Sequence, residues 1–211
     1  MDAAKRWIVA ELLLALRGSD GQIVVGLSGG TTPQPMYAAL STERSIDWSR
    51  VLLFLVDERY VPAEHPESNQ RMIWETLLTH EAAAARFLAP NTALPIDDCV
   101  LRYNEQLLDL QPDIVLLGMG KDGHIASLFP PLSESAFGPD RVIATRTEQF
   151  AVAERISVTL PLLLQASRRL ILTTGEEKSA LLQTMRGAPE DYHRYPAQYL
   201  FDERTTWMTA P

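Results

Sequence analysis

The residues best suited to chemistry lie in a glycine-rich segment, GMGKDGHIASLFP, in the second half of the chain. This segment places the carboxylate of Asp122 two residues before the imidazole of His124. Because imidazole titrates near neutral pH, His124 is the best candidate for a general acid or base. The sequence leaves open whether Asp122 holds the ring or the loop. The remaining histidines show no metal-ligand spacing with His124, so we expect no metal site: His65, His80 and His193.

A second segment predicts an anion site. Residues 26–35 read GLSGGTTPQP and follow the first apolar run of the chain. Glycines between a strand and a proline-initiated helix let backbone N–H groups close around an anion at the start of the helix. We therefore expect Ser28, Gly29, Gly30 and Thr31 to hold a phosphate. The segment lacks the lysine and the spacing of a Walker loop, and a tight turn that needs glycine is the alternative interpretation.

The same segment also spells GxSxG, the nucleophile-elbow pattern of serine hydrolases, at Gly26, Ser28 and Gly30. In that fold the elbow follows several strands, and the loop after one of them supplies half of the oxyanion hole. Here it follows the first recognisable strand. A serine esterase that uses Ser28 as its nucleophile is therefore a disfavoured alternative.

A charged group follows the second apolar run, in VDERYVP and HPESNQ. Arg59 has the geometry to bind a phosphate through two hydrogen bonds, and Asp57 to orient a donor or to act as a base. Glu58 equally suits an internal salt bridge on a surface loop. Ser68 is predicted to cap the next helix, and Asn69 to face the same cleft.

One further cation is placed at a predicted strand end. Lys178 in TTGEEK follows a late apolar run and opens a helix, where it would meet an anion held at the same edge of the sheet. A solvated lysine is the alternative.

Three glycines fit the dinucleotide fingerprint GxGxxG: Gly118, Gly120 and Gly123. That fingerprint needs a long helix after it and an acidic residue about 20 positions further on, at the end of a second strand. Pro130 and Pro131 cut any such helix short, so nicotinamide binding is disfavoured and no organic cofactor is expected.

The elements that must position these residues alternate between strands and helices. Short apolar runs predict buried strands, and apolar residues at helical spacing predict helices between them. This order predicts a single α/β domain over residues 1–211, Rossmann-like, with a mostly parallel sheet, helices on both faces and ligands at the carboxyl ends of the strands. The predicted strands are 22–27, 51–56, 113–117, 142–144, 156–160, 170–173 and 206–208; the main helices are 2–17, 68–79, 99–109 and 176–185, and 81–95 is predicted as a helix end and surface loop.

Composition excludes several partners. The 27 acidic and 19 basic residues give a net charge of −8, and no basic run offsets it, so we expect no nucleic-acid binding. The single cysteine, Cys99, cannot form an internal disulfide, which favours a reducing, cytoplasmic location. No apolar run approaches the length that spans a bilayer, so no membrane partner is expected.

These segments together resemble one known family. The chain is similar to the 6-phosphogluconolactonases, within the wider group that includes glucosamine-6-phosphate deaminase, in five blocks that follow the family's order: SGGTTP, DERYVP with HPESN, GMGKDGHIASLFP, RISVTLP and TGEEK. The blocks cover nearly the whole chain. The resemblance implies hydrolysis of 6-phosphoglucono-1,5-lactone to 6-phosphogluconate in the pentose phosphate pathway, with neither metal nor organic cofactor. It also implies that Arg155 in RISVTLP contacts the substrate.

One position separates the two branches of the group. In the deaminases, the segment around the histidine resembles GHIAFNEP, and its glutamate, five residues after the histidine, helps to open the sugar ring. This chain has Phe129 at that position. An apolar ring cannot move protons, so the lactonase is favoured, although Ile125 stands where lactonases usually carry threonine.

The resulting hypothesis is that neutral His124 takes a proton from water as the water attacks the lactone carbonyl, and then returns it to the ring oxygen. Asp122 or Asp57 orients the base, while the segment from Ser28 to Thr31 holds the remote phosphate together with Arg59 and Lys178. A monomer is expected. Three alternatives remain: a deaminase or aldose-ketose isomerase of the same fold, the serine esterase, and a non-catalytic sugar-phosphate binding protein.

Overall fold

The structure is a computed structural model that describes residues 2–210. Its helices and strands in chain order are α1 (Asp2–Gly18), β1 (Ile23–Leu27), α2 (Gln34–Ser41), β2 (Val51–Leu55), β3 (Asp57–Arg59), α3 (Asn69–Thr76), β4 (Arg86–Leu88), α4 (Ile96–Leu107), β5 (Ile114–Gly118), β6 (Val142–Arg146), β7 (Glu154–Val158), α5 (Leu160–Gln165), β8 (Arg168–Thr174), α6 (Glu176–Gly187) and β9 (Thr205–Ala210).

Six of the strands form a parallel sheet in the order β4-β2-β1-β5-β8-β9. Counted within this sheet, the order is 3-2-1-4-5-6, which is the order of the Rossmann fold. The predicted α/β fold with a mostly parallel sheet is therefore confirmed. The chain reverses its direction of winding between β1 and β5, and in such sheets ligands bind in the crevice outside the carboxyl ends of these two strands.

The middle of the sheet is buried on both faces, because strands β1, β2 and β5 carry only apolar residues and glycine. Ile23 and Val25 pack against α1, where Ile8 is buried, and this face is also covered by α2 and α3. Val24 points to the other face, which α4, α5 and α6 cover and where Tyr103 is buried. Each such side chain contributes roughly 1.5–3 kcal/mol when fully buried. The strand ends that carry the loops are thus held from both sides.

A second, smaller sheet is antiparallel, in the order β3-β7-β6. The chain passes from the large sheet into it at Val56, whose N–H donates to Leu27 O at 3.0 Å and whose carbonyl accepts from Val158 N at 2.8 Å. In this sheet Arg59 lies opposite Arg155. The small sheet therefore brings a second set of side chains to the carboxyl end of the parallel sheet.

The structure corrects several boundaries. Residues 81–95 were predicted as a helix end and surface loop, but they contain part of a 3₁₀-helix and the edge strand β4, which pairs with β2. Strand β4 has only three residues, which is too short for an apolar pattern that would predict a strand. Helix α4 begins at Ile96, earlier than predicted, and the predicted strands 142–144 and 156–160 belong to the small sheet. Ser68 caps α3 as predicted, accepting from Arg71 N at 3.2 Å.

Within residues 2–210, no helix combines the length and the apolar character that crossing a membrane requires.

Candidate functional site

A cavity of about 580 Å³ opens where the loops after β1 and β5 meet, at the reversal point of the parallel sheet. Ten of the eleven site residues predicted from the sequence line this cavity. The remaining one, Thr31, lines an adjoining cavity of about 460 Å³. The ten are Ser28, Gly29, Gly30, Asp57, Arg59, Asn69, Asp122, His124, Arg155 and Lys178.

The loop after β5 is a tight turn that presents His124. Gly120 N donates to His124 O at 2.9 Å, and Gly123 N donates to Gly120 O at 3.2 Å. Gly123 has a φ of 81°, in the left-handed region that glycine tolerates best. A Cβ on Gly120 would lie 2.1 Å from His124 Nδ1. Gly120 and Gly123 therefore allow the tight turn in which the imidazole packs.

The imidazole and the carboxylate of this turn are paired. His124 Nδ1 lies 2.5 Å from Asp122 Oδ1, which also accepts the backbone N–H of His124 at 3.1 Å. Burial raises the pKa of Asp122, but the hydrogen bond and the charge of His124 outweigh it and hold this pKa below its usual range. An ionised carboxylate only accepts hydrogen bonds, so Nδ1 carries the proton and Nε2 of the neutral ring keeps a free lone pair.

Two phenylalanines enclose the imidazole. The Phe129 ring centre lies 4.7 Å from that of His124, and the Phe150 ring lies 5.9 Å away in an edge-on arrangement. The two phenylalanine rings are 6.0 Å apart. Phe150 is not among the predicted site residues, because it lies in the β6–β7 hairpin loop, outside every motif.

A pair of arginines forms another part of the cavity wall. Arg59 and Arg155 are directly opposed across β3 and β7, and Arg155 is only 5% exposed. Burial lowers the pKa of Arg155, and the neighbouring charge of Arg59 lowers it further. Arg155 Nε donates to Val152 O at 2.9 Å, and Arg59 Nη1 donates to Glu67 O at 2.6 Å. Like charges directly opposite each other are unfavourable, so this pair suits a site that receives an anion.

Lys178 adds a third cation from the first turn of α6. Burial lowers the pKa of Lys178, and the charge of Lys121 lowers it further. Lys121 itself forms a salt bridge with Glu177 at 2.6 Å, whereas Lys178 lines both cavities. The amine of Lys178 thus faces the space that the two arginines border.

The loop after β1 differs from its prediction in one respect. The N–H of Ser28 donates to Leu116 O at 3.0 Å, so it cannot donate to a phosphate as proposed. Gly29 packs so closely on Asn69 that a Cβ would lie 1.8 Å from Asn69 Oδ1, and Gly30 has a φ of 99°. Within the described part of the chain, the N–H groups of Gly29, Gly30 and Thr31 donate to no protein acceptor.

The Ser28 hydroxyl has no activating partner. Among residues 2–210, no hydrogen bond joins Ser28 Oγ to an imidazole or to any other side chain. The nucleophile-elbow interpretation therefore finds no support in the geometry.

Alternation along β3 separates its three charged residues, since neighbouring side chains of a strand point to opposite faces. Asp57 and Arg59 face the cavity, and Asp57 Oδ2 accepts from Ser127 Oγ at 2.8 Å. Glu58 points away and is 1% exposed, so the alternative of a salt bridge on a surface loop does not hold for it. Its carboxylate accepts from the N–H groups of Asn69 and Gln70, both at 2.7 Å, at the start of α3. Burial raises the pKa of Glu58 against these hydrogen bonds.

No group of three or more His, Cys, Asp or Glu side chains that could hold a metal ion occurs in the described residues.

Comparison with known proteins gives consistent results. The sequence profile of the family described as glucosamine-6-phosphate isomerases/6-phosphogluconolactonase matches residues 1–207. A probable 6-phosphogluconolactonase of Dictyostelium discoideum is 35% identical over 195 residues, covering 86% of this chain and 81% of the relative. The 6-phosphogluconolactonase of Pseudomonas putida is 38% identical over 181 residues, covering 83% and 74%.

Solved structures agree. A 6-phosphogluconolactonase from Shewanella baltica superimposes with a TM-score of 0.92 at 27% identity, covering all of this chain and 92% of the other. The 6-phosphogluconolactonase of Thermotoga maritima gives a TM-score of 0.86 at 30% identity, with 100% and 94% covered.

Proposed function

The chain belongs to the glucosamine-6-phosphate isomerase/6-phosphogluconolactonase family, and we propose that it hydrolyses 6-phospho-D-glucono-1,5-lactone with His124 as the base that activates water. The observation that carries the proposal is the pairing of His124 Nδ1 with Asp122 Oδ1 at 2.5 Å inside a cavity whose lining includes Arg59, Arg155 and Lys178. The relatives named above that carry the lactonase name support the choice of reaction.

The chemistry follows from the tautomer that Asp122 imposes. The lone pair on His124 Nε2 takes a proton from water as the water oxygen bonds to the lactone carbonyl carbon. The tetrahedral intermediate then breaks its bond to the ring oxygen, which receives the proton back from Nε2. The products are a carboxylic acid, which ionises at neutral pH, and a hydroxyl group. No covalent enzyme intermediate is needed, and one positioned base typically contributes about 10²- to 10⁴-fold.

The cations supply binding energy at the other end of the substrate. The phosphate is remote from the reacting carbonyl, and Arg59, Arg155 and Lys178 are placed to neutralise it, with N–H groups of Gly29 and Gly30 as further donors. Binding at this end orients the carbonyl against the base. The net charge of −8 does not oppose this, because the local field is positive.

The contacts of Phe129 argue against the deaminase. This ring packs 4.7 Å from the His124 ring, so the position that needs a proton-transferring carboxylate in the deaminase pattern is apolar here. Ammonia release from glucosamine 6-phosphate is therefore expected to be absent.

The proposal is tested by H124N with a matched histidine control. We expect H124N to lower kcat for fresh lactone, corrected for spontaneous hydrolysis, by about 10²- to 10⁴-fold. The control is H80N, because His80 is exposed, lies far from the cavity and has a φ of 48°, which asparagine tolerates well. H80N should retain wild-type kcat.

Three results would contradict the proposal. Wild-type turnover in H124N removes His124 from the role of base. Wild-type protein that binds 6-phosphogluconate but leaves the lactone intact is a binding protein. Labelling of Ser28 by a fluorophosphonate indicates the esterase instead.

A further inference from the structure

Phe150 is an exposed aromatic residue at the edge of the active cavity. It lies in the loop between β6 and β7, which is closed by a hydrogen bond from Thr147 N to Ala153 O at 3.0 Å. The Phe150 side chain is 46% exposed, yet it lines both adjoining cavities.

The Phe150 ring contacts both the proposed base, His124, and one of the proposed phosphate-binding residues, Arg155. Its edge-on contact with His124 spans 5.9 Å between ring centres, and the guanidinium carbon of Arg155 lies 5.4 Å from its centre. The hairpin is also fixed to Arg155 by the hydrogen bond from Arg155 Nε to Val152 O. The ring is thus held between the base and a phosphate-binding cation, at the level where the sugar must lie.

We infer that Phe150 is a specificity-determining residue whose ring packs on the C–H face of the closed lactone ring. This inference rests on the proposed function. A cyclic sugar presents a continuous apolar C–H face, and aromatic side chains supply such walls in ligand sites. The open-chain product has the same phosphate and hydroxyl groups but no ring face. Phe150 therefore favours the binding of the closed substrate over that of the opened product.

The test compares ligands that share the phosphate and differ in the ring. F150A should raise the KM for the lactone by about tenfold, the loss expected when roughly half of a phenylalanine side chain is no longer buried. The inhibition constants of 6-phosphogluconate and of inorganic phosphate should change less than about twofold. F150Y should restore the wild-type KM, and F150L should not, because it keeps apolar volume without a flat face.

A matched control separates this effect from general loss of structure. Phe137 is 41% exposed and packs on Tyr199 with ring centres 5.6 Å apart, outside both cavities. F137A should therefore leave all three constants at their wild-type values.

The outcomes distinguish the two proposals. If wild-type protein does not hydrolyse the lactone, the proposed function fails. If wild-type protein is active and F150A leaves the lactone KM unchanged, the inference fails and the function stands. An equal rise for lactone, 6-phosphogluconate and phosphate would also overturn it, because that pattern indicates displacement of Arg155.

Discussion

Two buried arginines of this protein have opposite surroundings. Arg169, on β8, is 0% exposed and forms a salt bridge with Asp202, with further hydrogen bonds to Thr205 Oγ1 at 2.9 Å and to Leu163 O at 3.1 Å. Arg155, on β7, is also buried but faces a second arginine, with the carbonyl of Val152 as its acceptor.

The difference separates a charge that is satisfied within the protein from one that we propose binds the substrate. A charge removed from water is tolerated when partners satisfy it, as they satisfy Arg169. Burial and Arg59 together lower the pKa of Arg155, and Asp57 is the largest of the negative charges that oppose them. The positive charge of Arg155 is therefore incompletely compensated within the protein, as expected of a guanidinium that binds an anionic ligand.

The largest effect is expected from breaking the compensated site. R169M leaves Asp202 and the carbonyl of Leu163 without their donor, and it should lower the free energy of unfolding by about 3–5 kcal/mol. Urea titration measures this loss, and kcat and KM of the folded fraction should be unchanged. The control is R168M. Arg168 is 49% exposed and forms a salt bridge with Glu11 at 3.6 Å, and an exposed pair of this kind contributes less than about 1 kcal/mol to stability. Equal losses in the two variants would remove the distinction.

A smaller effect, of a different kind, is expected from R155M. Removing one of two opposed cations should leave the free energy of unfolding near its wild-type value, while the KM for the lactone rises by about 10- to 100-fold through loss of charged hydrogen bonds. Inorganic phosphate should raise the Tm of the wild type and of R169M, and the increase should be smaller for R155M. The control R146M alters an arginine of the same sheet that is 67% exposed. A large loss of stability with unchanged KM would make Arg155 structural.

The smallest effect is a pH dependence. The pKa of Asp202 is lowered: burial raises it, but the hydrogen bonds from Arg169, Thr205 and the backbone of Arg204, together with the charge of Arg169, outweigh burial. A carboxyl group of this kind stabilises the fold above its unfolded pKa of about 3.9, and the contribution disappears as pH falls through the folded value. The difference in unfolding free energy between wild type and D202N should be full near pH 7 and shrink below about pH 4. D202N should keep wild-type kcat, whereas D122N, whose carboxyl pKa is also lowered, should not. A difference that stays constant with pH would contradict the assignment.

The middle of the parallel sheet was predictable because β1, β2 and β5 are apolar on both faces. The first three runs gave β1, β2 and β5 to within a residue or two. The small sheet was not predictable, because β3 consists of three charged residues and pairs with a strand that is distant in sequence. Its assignment as antiparallel depends on contacts that no local pattern encodes.

The candidate site was predictable where a loop carries its own chemistry. Asp122 and His124 are two residues apart, so their pairing is a local property. The burial of Glu58 and the contacts of Phe150 arise from packing between segments far apart in sequence, and they needed the structure. The single domain, the monomer and the cytoplasmic location stay predictions.

The turn that runs from Gly120 to His124 closes on itself through one backbone hydrogen bond. His124 and Asp122 consequently come from a single short stretch of chain, whereas Arg59 and Arg155 lie on the small sheet and Lys178 lies on the helix that follows β8 of the parallel sheet. Substitutions that disturb the packing between the two sheets should therefore displace the two arginines relative to Lys178 and leave the imidazole–carboxylate pair intact.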